Sequence, residues 1–169
     1  MEGIEQARSL LMKQRYREAA SLLDRLLPRD ADNDELWYLR GMASLKMKNY
    51  DAAQECFGRA LLLGRKSRYY QIKGMAHFEV FEMEEALDAF LEASALEPDD
   101  PTTNFFLAMC YLFLDDPRSD AYIRKAYDLN KKKTKQLLLN FYTLFLRDDP
   151  RINEAQRNAI ESHIRSLKA

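Results

Sequence analysis

Apolar and small residues recur along the chain at positions three, four and seven apart, with polar residues between them. This is the spacing of one face of an amphipathic helix. The clearest positions are Ala53, Phe57, Ala60, Ala86, Phe90 and Ala93. All five prolines lie between such segments, and the chain has only five glycines. So few turn-forming residues argue against a many-stranded sandwich or barrel, and the pattern predicts helices joined by short loops.

The helical pattern itself returns at a nearly constant interval. Tyr16 and Tyr50 are 34 residues apart, Met83 follows 33 residues later, and each opens a similar run. A second helical segment with one small residue precedes each run, and the small residues are Ala7, Gly41, Gly74 and Ala108. Each unit is therefore predicted to be a pair of helices, A and B, with the small residue allowing close approach.

These units resemble the tetratricopeptide repeat, a unit of about 34 residues. The second unit matches best, through Trp37, Gly41, Tyr50, Ala53, Phe57 and Ala60. The resemblance implies an all-α fold, a right-handed α-solenoid of tandem helix-turn-helix repeats with a C-terminal capping helix pair. We predict a single repeat domain over residues 1–169, with units 1–32, 33–66, 67–99 and 100–132 and a degenerate capping unit 133–169.

The capping unit departs from the repeat pattern. Phe141 stands where the small residue of helix A is expected, and the final helix is predicted at roughly Ile152 to Leu167. Whether this segment is a true fifth repeat, a cap or a filling for the groove stays open. Elsewhere Ser67 is predicted to cap a helix, Pro101 to begin one and Gly64 to end one.

In the resembling family, the A helices line a concave groove, with ligand positions three before, one after and four after the small residue. Those offsets predict a partner-binding groove with apolar positions Leu11, Tyr38, Met42, Leu45, Met75, Phe78, Phe105, Met109 and Leu112, and polar positions Arg8 and Gln71. Lys46, the residue after Leu45, is added as a third polar position. An exposed apolar stripe marks a binding site, and methionine accepts partners of varied shape. The expected ligand is a peptide or amphipathic helix of another protein. The alternative is that the stripe is filled by the chain's own packing.

The family also includes a carboxylate clamp, in which basic and amide side chains hold a C-terminal carboxylate. Here the groove is mainly apolar, and its polar candidates are Arg8, Lys46, Arg68 and Gln71. We therefore predict no tight binding of acidic tails. An apolar groove also argues against nucleic acid as a partner.

The net charge of −1 conceals three blocks of different sign. Residues 1–66 carry +2, residues 67–101 carry −7 and residues 102–169 carry +4. Such bands could steer a partner or pair two copies of the chain head to tail, but the interpretation we favour is a solvated surface. A self-assembling structural protein and an accessory subunit of a larger complex therefore remain alternative functions.

No motif in the sequence indicates catalysis, a cofactor or a metal site. The chain has no glycine-rich phosphate loop, no His-Glu-x-x-His run and no Cys-x-x-Cys pair, so we expect a non-enzymatic protein. His77, Cys56 and Cys110 are interpreted as packed side chains. The longest uncharged stretch is too short for a membrane span. Two cysteines, without a signal peptide at the start, predict a cytoplasmic protein.

Overall fold

The computed structural model describes residues 2–148, 150 and 153–167, and these residues form ten α-helices and no strand. The helices are α1 Glu2–Met12, α2 Tyr16–Leu26, α3 Asp34–Lys46, α4 Tyr50–Leu63, α5 Ser67–Glu79, α6 Met83–Leu96, α7 Pro101–Phe113, α8 Arg118–Leu129, α9 Lys131–Phe141 and α10 Glu154–Ser166. Consecutive helices pack in pairs, α1 with α2 through α7 with α8. The predicted all-α fold of tandem helix pairs is confirmed.

The helices form two compact units. The N-terminal unit is Met1–Leu96 and contains α1 to α6, and the C-terminal unit is Glu97–Ala169 and contains α7 to α10. Three complete helix pairs therefore lie in the first unit and two in the second. The single repeat domain inferred from the sequence stays a prediction.

Glycines permit the close packing of helices within the N-terminal unit. A Cβ atom added to Gly41 would lie 2.6 Å from Cδ1 of Phe57, and one added to Gly74 would lie 2.9 Å from Cζ of Phe90. Both aromatic rings are completely buried. The predicted role of the small residue on helix A is thus confirmed at these two positions, where a ring of helix B fills the space that a side chain would need.

The first four turns between helices A and B share one backbone feature. Gln14, Lys48, Phe81 and Asp115 each have a φ angle between 54° and 62°. They are 33 or 34 residues apart, so the repeat extends to the turn conformation. A left-handed residue reverses the chain within the short link between the two helices.

Two of the three predicted helix boundaries are confirmed. Asp100 caps α7 by accepting a hydrogen bond of 2.7 Å from the Thr103 N–H, which leaves Pro101 in the first turn. Gly64 follows the end of α4 in an extended conformation. The prediction for Ser67 was wrong, because Ser67 is the first residue of α5 and its hydroxyl donates to the Ala93 carbonyl at 3.3 Å.

The last helix pair differs from the earlier ones. Helix α9 runs on into a π-helical turn, Tyr142–Leu146, and Phe141 is buried against aromatic rings instead of allowing close helix packing. Helix α10 begins after Asn153, whose side chain and that of Gln156 form a capping box. The predicted start at Ile152 lies outside the described residues.

Candidate functional site

The predicted groove positions of the N-terminal unit lie on its A helices, α1, α3 and α5. The partly buried ones are Leu11, Tyr38, Met42, Gln71 and Met75, whereas Arg8 and Lys46 are exposed. Leu45 and Phe78 are buried, with 3% and 2% of their surface exposed. These two side chains belong to the packed core, so the open part of the stripe is formed by the positions three before and one after each glycine.

The C-terminal unit shows the opposite distribution on α7. Phe105 and Met109 are buried, and Leu112 is 53% exposed. Helix α9 packs against α7, and the Phe141 ring lies 6.4 Å from the Phe105 ring between their centroids. An aromatic side chain of the same unit thus covers the position at which the sequence predicts ligand contact.

A buried carboxylate lies beside the open positions of the N-terminal unit. Glu35, in the first turn of α3, is 8% exposed. Its Oε1 accepts a hydrogen bond of 2.9 Å from Nη2 of Arg8, and its Oε2 accepts from Arg68 and, at 3.2 Å, from the hydroxyl of Tyr69. One carboxylate therefore joins α1, α3 and α5, and we call Arg8, Glu35, Tyr38, Arg68 and Tyr69 the arginine–glutamate cluster.

Two tyrosine rings complete the cluster. Tyr38 and Tyr69 stack with 4.7 Å between ring centroids, and the Arg68 guanidinium lies 5.2 Å and 5.1 Å from those centroids. Burial raises the pKa of both tyrosines. Burial also opposes the charge on Arg68, but its hydrogen bond to Tyr69 and the charge of Glu35 more than compensate and raise its pKa. The phenols stay neutral and the guanidinium stays charged at neutral pH.

A second ion pair lies next to the cluster. Lys66 Nζ is 2.6 Å from Oδ2 of Asp34 and donates to the Tyr69 hydroxyl at 3.2 Å. Burial would raise the pKa of Asp34, but the hydrogen bond and charge of Lys66, together with hydrogen bonds from Tyr69 and the Glu35 backbone, outweigh it and lower that pKa. This pair adds one positive and one negative charge beside the cluster, so the net charge there does not change.

The remaining reactive side chains do not form a catalytic arrangement in the part of the chain described. Cys56 and Cys110 are free and buried, and burial raises the pKa of Cys110 to about 12, so neither is a ready thiolate. His77 is mostly buried, with Nδ1 2.6 Å from Oε2 of Glu82. Among the described residues, no group of three or more His, Cys, Asp and Glu side chains could hold a metal ion.

Sequence reasoning missed two members of the cluster. Arg68 was a candidate, but Glu35 and Tyr69 were not. The signal was the repeat spacing, because Glu35 and Arg68 are 33 residues apart and occupy equivalent positions of successive A helices. Opposite charges at equivalent positions of adjacent repeats can meet when neighbouring A helices lie side by side.

The chain matches known proteins over its repeats. Residues 10–76 match a family model described as Tetratricopeptide repeat. The chain is 26% identical to DnaJ homolog subfamily C member 7 homolog of Dictyostelium discoideum, a match that covers 96% of this chain and 36% of that protein. The chain therefore spans about a third of the length of this relative.

Many solved structures share the fold, and two of them illustrate it. One is TTC0263, a thermophilic TPR protein in Thermus thermophilus, with 17% identity, a TM-score of 0.72 and coverage of 98% of this chain and 90% of that one. The other is the first TPR of Spaghetti (RPAP3) bound to the HSP90 peptide SRMEEVD, with 23% identity, a TM-score of 0.65 and coverage of 68% and 91%. None of the helices in the described ranges is long and apolar enough to cross a membrane.

Proposed function

This chain is a tetratricopeptide repeat protein in its fold, and we propose that it is a non-enzymatic scaffold that binds a peptide or amphipathic helix of a partner protein. The proposed site is the A-helix face of the N-terminal unit. The observation that carries the proposal is the partial exposure of Tyr38 and Met42 on α3 and of Met75, the repeat equivalent of Met42, on α5.

Two of these side chains, Tyr38 and Met42, are anchored at their base. Tyr38 and Met42 pack against a buried cluster that includes Leu45, Phe57 and Ala76. A side chain that is held in this way loses little further conformational freedom when a ligand covers it. Methionine adds polarisability and adaptable shape, which suits an apolar segment of another protein.

Polar side chains border this apolar surface. Arg8 and Lys46 are exposed on α1 and α3, and Gln71 is partly exposed on α5. An extended peptide carries backbone N–H and C=O groups that need partners when water is removed. The primary amide of Gln71 has both a donor and an acceptor, and is the side chain we expect to contact the ligand backbone.

The RPAP3 structure supports peptide binding as the class of function, since it holds a peptide on the same fold. The DnaJ homologue does not identify the partner of this chain, because the match covers only 36% of that protein. We propose an uncharged, mainly apolar ligand, no nucleic acid as partner, and the cytoplasm as compartment, where two free buried thiols persist.

A displayed library of random peptides tests the proposal. Peptides enriched on the wild-type protein are remeasured by fluorescence anisotropy against Met42→Glu/Met75→Glu, in which two charges replace the apolar surface. We expect binding to fall by at least about a hundredfold, given ~1.5–3 kcal/mol for each of the two covered apolar side chains. Both methionines are only partly buried, unlike Met109, so circular dichroism should show a folded variant.

Leu62→Glu/Leu63→Glu provides the matched control. Leu62 and Leu63 are 81% and 42% exposed on α4, a B helix, so the same two charges are added away from the proposed site. Its affinity should equal that of the wild type. Undiminished binding by the folded methionine double variant would refute the site, and equal losses in both variants would show a general effect of charge.

Self-assembly remains the alternative function. Leu112 and Phe113 on α7 are 53% and 40% exposed, which is an apolar pair that a second copy could cover. Light scattering over a concentration series distinguishes the two functions. A monomer at every concentration, with intact peptide binding, favours the scaffold, whereas a mass that doubles and falls back in Leu112→Glu favours assembly.

A further inference from the structure

We propose that Glu35 determines the partner class of this face, by holding Arg8 and Arg68 as an internal carboxylate so that the face selects uncharged segments and rejects acidic tails. The inference rests on the proposed function, since it concerns the same A-helix face. It goes further by assigning a specificity-determining role to one buried residue and by excluding one ligand class for a physical reason.

Both oxygens of the Glu35 carboxylate already have donors. Oε1 accepts from Arg8 at 2.9 Å, and Oε2 accepts from Arg68 and from Tyr69. The two guanidinium groups are reachable from solvent, since their side chains are 43% and 46% exposed, while the Glu35 side chain is 11% exposed. A ligand can therefore reach the two cations, whereas the anion that satisfies them is buried.

The charges around the cluster cancel. Arg8 pairs with Glu5 at 2.7 Å in addition to Glu35, so two guanidiniums face two carboxylates. Lys66 pairs with Asp34 at 2.6 Å. An arriving carboxylate would meet cations whose charge is already compensated, and would lose its own hydration without a net electrostatic gain.

Displacement of Glu35 by a ligand is also unfavourable. Breaking a buried ion pair leaves an uncompensated charge inside the protein, which costs more than an exposed pair returns. The stacked rings of Tyr38 and Tyr69, 4.7 Å apart, hold the Arg68 guanidinium close to Glu35. The cost of breaking the ion pair and the rings that hold Arg68 both keep the Glu35 carboxylate in place. What this face offers a ligand is therefore its apolar surface.

Glu35→Gln tests the inference, because glutamine keeps the size of the side chain and removes its charge. The probe is the labelled acidic peptide SRMEEVD, measured by fluorescence anisotropy at low and high salt. We expect the variant to bind it at least about tenfold more tightly than the wild type, the value of roughly one charge-assisted hydrogen bond, with the gain lost at high salt.

Glu5→Gln is the matched control. Glu5 also pairs with Arg8 but its side chain is 67% exposed, and its removal changes the net charge equally. The inference expects a much smaller gain in this variant, since Glu35 still holds both arginines. An equal gain in the two variants, or no gain in folded Glu35→Gln, would overturn it.

A measurement on the wild-type protein keeps the inference testable if Glu35→Gln fails to fold. The Nε–H signal of Arg68 in a nitrogen–proton NMR spectrum should not shift on addition of SRMEEVD, and a saturable shift there would contradict the inference. The peptide library distinguishes failure of the two proposals. If no peptide is enriched on the wild type, the proposed function fails. If Glu35→Gln still binds the enriched apolar peptides and binds SRMEEVD no more tightly than the wild type, only the role of Glu35 is rejected.

Discussion

Equivalent predicted ligand positions are at least partly exposed in one unit and buried in the other. In the N-terminal unit, Tyr38 and Met42 on α3 are partly exposed, and Leu45 at the next position of the stripe is buried. In the C-terminal unit, the equivalent Phe105 and Met109 are buried and Leu112 is exposed. A stripe read from residue spacing alone is the same in both units, so the covering side chains decide which positions remain open.

The covering side chain in the C-terminal unit is an aromatic ring on helix A. In the N-terminal unit, glycine stands on helix A and the ring on helix B, as in Gly41 with Phe57. Phe141 reverses this arrangement in α9, and its ring lies 6.4 Å and 6.1 Å from those of Phe105 and Phe113. The reversal fills the α7 face with aromatic contacts and leaves no equivalent of the open surface on α3.

The buried polar side chains of the two units differ in their partners. Glu35 in the N-terminal unit joins three helices through side chains. In the C-terminal unit, Asn104 donates to the carbonyls of Pro98 and Asp100, and Thr134 donates to that of Ala126. These bonds satisfy backbone groups at helix ends, so they stabilise the fold without presenting charge to a ligand.

The largest expected effect comes from removing the two key rings. Phe57→Ala should lower the free energy of unfolding by about 3–5 kcal/mol, because the completely buried ring leaves a cavity against Gly41. Phe141→Ala should cost less, about 3 kcal/mol, since Phe141 is 8% exposed and the Phe145 ring, 5.1 Å away, can move towards the space. Urea unfolding followed by circular dichroism measures both.

Leu62→Ala is the control for this pair, because an 81% exposed side chain on the same helix as Phe57 should change stability by no more than about 0.5 kcal/mol. A cost for Phe141→Ala equal to or above that of Phe57→Ala would contradict the interpretation that the C-terminal aromatic cluster is the more adaptable packing.

A smaller effect is expected from adding one methyl group to the glycine positions. Gly41→Ala places Cβ 2.6 Å from Cδ1 of buried Phe57, so overpacking of about 1–3 kcal/mol should exceed the gain of up to ~1 kcal/mol from alanine in a helix. Gly58→Ala, where the new Cβ meets no atom within 4 Å apart from its chain neighbours and its own helix backbone, should raise stability by about 0.5–1 kcal/mol. Thermal melts of both variants check the opposite signs, and a stabilised Gly41→Ala would show that the Phe57 ring yields.

Sequence reasoning located the helices and their close contacts because both depend on local spacing. The predicted all-α fold of tandem helix pairs is confirmed, and Gly41 and Gly74 have the predicted contacts. The burial of Phe105 could not be predicted, because it depends on Phe141, a residue 36 positions away in a repeat that departs from the pattern. Glu35 lies six residues before Gly41, outside the three offsets at which the repeat pattern places ligand contacts, so that pattern does not indicate it.

The smallest expected effect concerns an exposed ion pair of the C-terminal unit. Asp116 accepts two hydrogen bonds of 2.9 Å from the backbone and Nε of Arg118, and the Arg118 side chain lowers the pKa of Asp116 from 3.8 to about 2. A depressed carboxyl pKa stabilises the folded state above pH 3.8, and this contribution is lost as the pH falls towards 2. Asp116→Asn should therefore lower the urea midpoint slightly at pH 7, and the difference from wild type should shrink steadily below pH 3.8. In an Arg118→Gln background the guanidinium partner is already absent. The effect of Asp116→Asn there should be smaller and nearly independent of pH. A difference that grows on acidification would reverse the sign of the linkage and rule out this pair as the cause.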